Sequence, residues 1–218
     1  MLPELVWNMP PLGTINLHGS LLPQYRGAAP VNWAIINGEK ETGVTTFKLQ
    51  QAIDTGNILL QESFPIHENE TAGELYNRMK VIGAEVLIRT IKGLANGSLK
   101  ESPQNVDPLS SLYPAPKITT DTCKIDWARP VIAVHNLVRG LSPDPGAFTF
   151  LQGKVLKIFS SEIEKGDPDD QGPGHYETDK KTFLKFACAN GFLLAKEIQL
   201  EGKKRMGIKD FLRGYQFD

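Results

Sequence analysis

Apolar residues at positions 75, 79, 82, 86 and 91 recur through ELYNRMKVIGAEVLIRTI at close to the period of one helix face. This pattern predicts the longest helix over Thr71–Gly97. Thr71 can cap it, and Glu74 three residues on completes a capping box. Elsewhere the period is two. GVTTFKL, Gly43 to Leu49, alternates and is rich in β-branched residues, so it reads as a strand, and Asn57 to Ile66 reads as a second. GTINLH, ending at His18, reads as a short buried strand. Ala29 to Asn37 reads as a helix with Pro30 in its first turn and Gly38 at its end.

The pattern lapses over residues 103–116, a proline- and serine-containing stretch that reads as a linker. Beyond it come IDW (Ile125 to Trp127) and a helix from about Arg129 to Gly140. Four strands follow at Ala147 to Leu151, Val155 to Ile163, Thr182 to Ala187 and Phe192 to Leu200. One helix and short, antiparallel-looking strands suit a small barrel. The expected organisation is a domain over 1–102, a linker over 103–116 and a second domain over 117–218. The expected fold class is α/β.

Composition narrows the classes without choosing one. The 218 residues are 40% hydrophobic and 22% charged, ordinary for a globular chain with a sizeable core. A net charge of −1 argues against a globally basic nucleic-acid binder, although residues 1–116 carry −3 and residues 117–218 carry +2. No run approaches the roughly 20 apolar residues of a membrane span. The start, MLPELVWNMPPLG, lacks a basic segment, and prolines 3, 10 and 11 interrupt it, unlike a secretory leader. Two cysteines, Cys123 and Cys188, are too few for a disulfide framework and wrongly spaced for zinc. A reduced, cytoplasmic protein without a metal is the expectation.

Candidate chemistry concentrates in NLHGSLLPQYRGAAP, Asn16 to Pro30, and in IDTG, Ile53 to Gly56. Asn16 and His18 lie two apart on a strand and so share a face. Asp54 follows in an Asp-Thr-Gly turn. An amide can hydrogen-bond a developing oxyanion, an imidazole can move a proton, and a carboxylate can orient and hold the charged imidazole. His67, His135 and His175 lack such surroundings. His135, on a helix among Val131, Val134 and Val138, reads as a packing residue. Basic clusters occur at Lys203-Lys204-Arg205, followed by Lys209 and Arg213, and at Lys180, Lys181 and Lys185.

The Asn-x-His pair, the SLLP loop, the RGAAP turn and the downstream Asp-Thr-Gly resemble the folate-dependent formyltransferases. YPAPKI (Tyr113 to Ile118), IDW, RGLSPDPGAF (Arg139 to Phe148) and QLEGKKRM (Gln199 to Met206) extend the likeness almost end to end. One departure is Gly19, where several members place proline. The resemblance implies Asn16, His18 and Asp54 as catalytic residues and Ser20, Leu21, Leu22 and Pro23 as the folate-side loop. It also implies Arg139, Lys203, Lys204 and Arg205 as tRNA contacts. The implied reaction moves a formyl group from 10-formyltetrahydrofolate to the methionine amine on initiator tRNA. Formylation of a sugar-nucleotide amine, formyltetrahydrofolate hydrolysis and a noncatalytic tRNA-binding fragment are the alternatives. The implied fold is the later part of a Rossmann-like domain followed by an OB-like barrel. The earlier part, a strand with a glycine-rich turn, is not found ahead of Asn16. The expectation is therefore an N-terminally shortened first domain whose exposed sheet edge promotes self-association.

Overall fold

A computed structural model describes residues 3–105, 111–168 and 172–217. Positions 106–110 of the expected linker lie outside the described residues. Packing divides the chain into two compact units. The first is Met1–Ala34, Glu39–Glu68 and Glu74–Lys117, and the second is Ile35–Gly38, Asn69–Gly73 and Ile118–Asp218. Segments 102–105 and 111–117 thus belong to the first unit.

In the first unit a short helix, α1 (Glu4–Trp7), precedes strand β1 (Ile15–His18). Helix α2 (Pro30–Ile36), strands β2 (Glu41–Lys48) and β3 (Ile58–Pro65) and helix α3 (Ala72–Ala95) follow, with the last two residues of α2 and the first two of α3 counted in the second unit. The sheet runs β1-β2-β3 with antiparallel pairing throughout. Val44 and Phe47 of β2 are fully buried, as are Leu75 and Val86 of α3. Gly83 brings α3 onto β1, because a Cβ there would lie 2.8 Å from Leu17 Cδ2. Behind the sheet the Thr46 and Thr90 hydroxyls are 2.8 Å apart, and Thr90 Oγ1 donates to the Val86 carbonyl. Ile91, expected on the buried face, is 54% exposed. Five residues from Val86 is about 140° around the helix, so Thr90 takes the inward position instead.

The second unit begins with a single turn, α4 (Thr120–Cys123), and helix α5 (Val131–Gly140). Its strands are β4 (Ala147–Leu151), β5 (Lys154–Glu164), β6 (Tyr176–Thr178), β7 (Leu184–Cys188), β8 (Gly191–Leu200) and β9 (Met206–Gly207), and helix α6 (Ile208–Gly214) closes it. The six strands form one antiparallel sheet in the order β4-β5-β8-β7-β6, with β9 also paired to β8. Register shifts between Ile158 and Ser161 mark irregularities in β5, where a bulge bends and twists a strand. Leu151, Leu156, Ile158, Leu184, Leu193 and Ile198 fill the core. Trp127, from the IDW motif, stacks on Phe186 at 4.7 Å and donates its indole N–H to Thr149 Oγ1 at 2.9 Å. His135 is buried with Nδ1 2.9 Å from Ser161 Oγ, in keeping with a packing role.

The α/β class holds at that coarse level. The described strand pairs are antiparallel, however, so no strand–helix–parallel-strand unit is among them. Sequence periodicity missed α1, α4, β6, β9 and α6. Four of these are at most four residues long, too short to carry a period. In α6 the signal was present, since Ile208, Phe211 and Leu212 are all buried.

Cys123 and Cys188 are both free and buried. Burial pushes the Cys123 thiol upward and the Cys188 thiol up to about 12. The unfolded chain ionises these thiols near the ordinary value of 9.0. The burial contribution of Cys188 is therefore complete below pH 9 and is lost as pH rises toward 12. At pH 8.5 the native chain should react with iodoacetamide at neither cysteine, whereas both should react in denaturant. Rapid native labelling of Cys188 would contradict this packing.

Candidate active site

Strand alternation places Asn16 and His18 on one face of β1, opposite Phe47 and Thr45 of β2. Asn16 is half-buried and lines a cleft of about 240 Å³ with Trp7, Leu49 to Ile53 and Asp54. His18 is buried beneath, its ring edge-on to Phe47 with centroids 6.4 Å apart. Its Nε2 is 2.8 Å from the Tyr25 carbonyl oxygen. Its Nδ1 is 3.7 Å from Asp54 Oδ2.

Hydrogen bonding assigns the tautomer. A carbonyl only accepts, so Nε2 carries the proton and donates it to Tyr25. In the neutral ring Nδ1 is then the basic nitrogen, and it faces the carboxylate. Once Nδ1 takes a proton, both N–H groups have an acceptor, Tyr25 on one side and Asp54 on the other. A separation of 3.7 Å is longer than a hydrogen bond.

Asp54 is held from two directions. Its backbone is left-handed, with φ +54°, a conformation aspartate tolerates better than most residues. The Gly27 amide donates to Asp54 Oδ2 at 2.9 Å. Gly27 has φ +130°, and a Cβ there would fall 2.4 Å from the Ala115 carbonyl oxygen, so the RGAAP turn requires glycine at this point. That same carbonyl accepts from the amides of Ala28 and Ala29, while the Ala115 amide donates to Arg26 O. Tyr25 and Tyr113 stack at 6.0 Å. Residues 113–115 thus brace the turn.

Gln104, for which the sequence offered no signal, joins the two site segments. Its amide nitrogen donates to the carbonyls of Asp54 and Gly56, each at 2.8 Å. Its amide oxygen accepts from Arg26 Nε at 3.2 Å and from Arg26 Nη2 at 2.6 Å. Gly56 closes the loop against Lys48, whose carbonyl oxygen would lie 1.6 Å from any added Cβ.

The expected folate loop divides by burial. Ser20 is fully buried, donating from Oγ to Gln24 O at 2.6 Å and accepting at its carbonyl from Thr45 Oγ1 at 2.6 Å. Leu22 is buried and tied to Thr45 and Gln61. These two side chains face the core of the first unit. Leu21 and Pro23 are half-buried at the surface.

In the second unit Lys203 and Lys204 are exposed. Arg205 is engaged, with Nη2 2.5 Å from Glu197 Oε2 and its guanidinium 4.2 Å from the Phe159 ring centroid. Arg139, expected as a tRNA contact, lies inside the second unit. Arg139 is only 6% exposed, with Nε donating to Asn136 Oδ1 at 2.8 Å and Nη1 to the Glu70 carbonyl at 3.1 Å. Its helix face turns inward, and burial lowers the guanidinium's pKa. A larger cleft of about 410 Å³ in this unit is lined mainly by apolar groups, including Ile118, Pro145, Phe148 and Val155. The Cys123 thiol also lines it, and its one ammonium, Lys157, donates to the Pro145 carbonyl at 2.8 Å. The described residues contain no cluster of metal-ligating side chains and no helix long and apolar enough to cross a membrane.

Family models match both units, "Formyl transferase" over residues 1–91 and "Formyl transferase, C-terminal domain" over residues 117–216. The chain belongs to the formyltransferase family. It is 48% identical to methionyl-tRNA formyltransferase of Azobacteroides pseudotrichonymphae, with 98% of this chain and 68% of that protein aligned. It is 47% identical to the methionyl-tRNA formyltransferase of Porphyromonas gingivalis, with 99% and 68% aligned. Among solved structures, an N-formyltransferase from Helicobacter canadensis, in complex with folinic acid and dTDP-3-aminofucose, is 26% identical over 83% of this chain and 65% of that one, with a TM-score of 0.65. HypX from Aquifex aeolicus shares the fold at TM-score 0.71 and 21% identity, over 99% of this chain and 38% of its own. This formyltransferase should show the tautomer argued above. In nitrogen-15 NMR of the neutral His18 ring, Nε2 should carry the proton. A ring protonated at Nδ1 would overturn the assignment.

Proposed function

We propose that the chain transfers the formyl group of 10-formyltetrahydrofolate to the α-amino group of methionine on initiator tRNA. The observation that carries this is the cleft joining Asn16 to Asp54, with His18 Nδ1 3.7 Å from that carboxylate, in a chain 45–48% identical to methionyl-tRNA formyltransferases. In this reading the neutral methionine amine attacks the formyl carbon, forming the new carbon–nitrogen bond as the carbonyl π pair moves onto oxygen. The Asn16 amide donates to that oxyanion. His18 Nδ1 takes the proton released by the amine, and the Asp54 carboxylate offsets the imidazolium charge. The proton then passes to N10 of the folate as the carbon–N10 bond breaks, releasing tetrahydrofolate. Leu21 and Pro23 face the folate, while Ser20 and Leu22 hold the loop from inside.

The same reading takes the six-stranded sheet of the second unit as an OB-like barrel. It takes the first unit as the later part of a Rossmann-like domain, and residues 103–116 as the join between domains. Lys203 and Lys204 are the groups in QLEGKKRM with exposed charge for tRNA phosphates. Buried free thiols at Cys123 and Cys188 and a translation substrate agree with a cytoplasmic setting. The unpaired edge of β1 in the described sheet supports self-association at high concentration, which sedimentation would detect.

Formyl transfer should be assayed with methionyl-tRNA, with a dTDP-amino sugar and with water as the only acceptor. Methionyl-tRNA should be preferred. His18→Ala should lower kcat by about 10²–10⁴-fold, the contribution of a general acid–base group. Preference for the amino sugar, or hydrolysis at the full rate, would replace this reading with one of its alternatives.

The tRNA face has its own test. Changing Lys203 and Lys204 together to Glu should weaken tRNA binding and lower the salt dependence by about one phosphate's worth per residue. Arg205→Gln should have a smaller effect, because Arg205 is already paired with Glu197. Unchanged affinity and salt slope in the double variant would move the tRNA contact elsewhere.

A further inference from the structure

We infer that Gln104 is the positioning residue that sets the Asp54 carboxylate against His18. The inference rests on the catalytic reading of Asn16, His18 and Asp54 given above. Asp54 sits in the irregular segment between β2 and β3, and its left-handed backbone has no strand ladder to fix it. Its carboxylate has to meet the Gly27 amide, which belongs to a different segment, the RGAAP turn. Gln104 bridges the two. It donates to the carbonyls of Asp54 and Gly56 on one side and accepts two guanidinium N–H groups of Arg26 on the other. Both amide hydrogens and the amide oxygen are engaged, and each bond reaches backbone or side chain within two residues of the Asp54–Gly27 contact. Among charged or amide side chains, only glutamine or asparagine supplies donors to two carbonyls and an acceptor to a guanidinium at once. The length of glutamine matches the gap.

The geometry separates two substitutions. Gln104→Glu keeps the acceptor for Arg26 but sets carboxylate oxygen against the carbonyls of Asp54 and Gly56, so the loop is pushed away. Gln104→Leu keeps much of the volume and removes all four bonds. In both, the Asp54 carboxylate should drift from Gly27 and His18 while the surrounding core stays in place. Gln104 touches no reacting atom in this scheme. Its loss should therefore fall mainly on kcat, by about 10–100-fold, with KM for either substrate changing less than about threefold.

A double-mutant cycle on the purified chain tests this. Gln104→Leu should lower kcat alone but add little in an Asp54→Asn background, because both changes remove the same placed carboxylate. Hydrogen–deuterium exchange supplies a readout that needs no turnover. In Gln104→Leu and Gln104→Glu the Gly27 amide should exchange at least about tenfold faster, while the amides of Thr45 and Phe47 in β2 keep their protection. Additive effects in the cycle, or unchanged Gly27 exchange, would overturn the proposal. An inactive Asp54→Asn variant beside a fully active Gln104→Leu would overturn it and leave the catalytic reading standing. A fully active Asp54→Asn would overturn that reading and this proposal together.

Discussion

The contact on which the geometry of the candidate site depends is the amide of Gly27 donating to the carboxylate of Asp54. It joins two segments that are far apart in sequence and carry no regular secondary structure. Everything around it serves to bring those segments to the same place. The Ala115 carbonyl collects the amides of Ala28 and Ala29, and Gly27 exists as glycine because Ala115 leaves no room for a side chain. Gly56 is packed on the Lys48 carbonyl for the same kind of reason. The buried threonines of β2 add a second brace, since Thr45 ties the Ser20–Leu22 loop to the sheet and Thr46 ties the sheet to α3. A hydroxyl that is both donor and acceptor can join backbone and side chain in the interior without leaving a polar atom unmatched.

Burial then assigns different tasks to residues that look alike in a motif. Within SLLP, two residues support and two face outward. Among the basic groups near the C-terminus, Arg205 spends its charge on Glu197 and its flat face on Phe159, whereas its two lysine neighbours stay solvated. Lys185 behaves as Arg205 does, paired with Glu164 and Glu177 and set 4.1 Å from the Phe192 ring centroid. Its pKa is raised, first by the Glu164 hydrogen bond. Counting basic residues along the sequence therefore overstates the positive surface available to a polyanion.

Much of this arrangement was legible in the sequence, for identifiable reasons. Ala147 to Leu151 and the ends of α3 and α5 could be placed because periodicity and glycine or proline punctuation agree there. Asn16, His18 and Asp54 could be named from residue type and motif. Ile91 was misassigned because five consecutive positions carry a helix past its buried face. The burial of Arg139 was not legible, because a charged residue in a glycine- and proline-rich motif looks exposed until its helix is packed. Gln104 and Ala115 were illegible for a deeper reason. Their roles depend on contacts with residues 48–89 positions away, and neither residue type carries a chemical signal of its own.

Two of the atoms that settle the state of the site belong to no side chain. The Tyr25 carbonyl chooses which imidazole nitrogen is basic, and the Gly27 amide holds the carboxylate that faces it. Substituting the Tyr25 side chain leaves its carbonyl in place, and substituting Gly27 disturbs the turn before it tests the bond. An alanine scan is therefore blind to both. Replacing the amide of residue 27 with an ester linkage would remove that donor and little else, and chemistry of that kind is what this backbone invites.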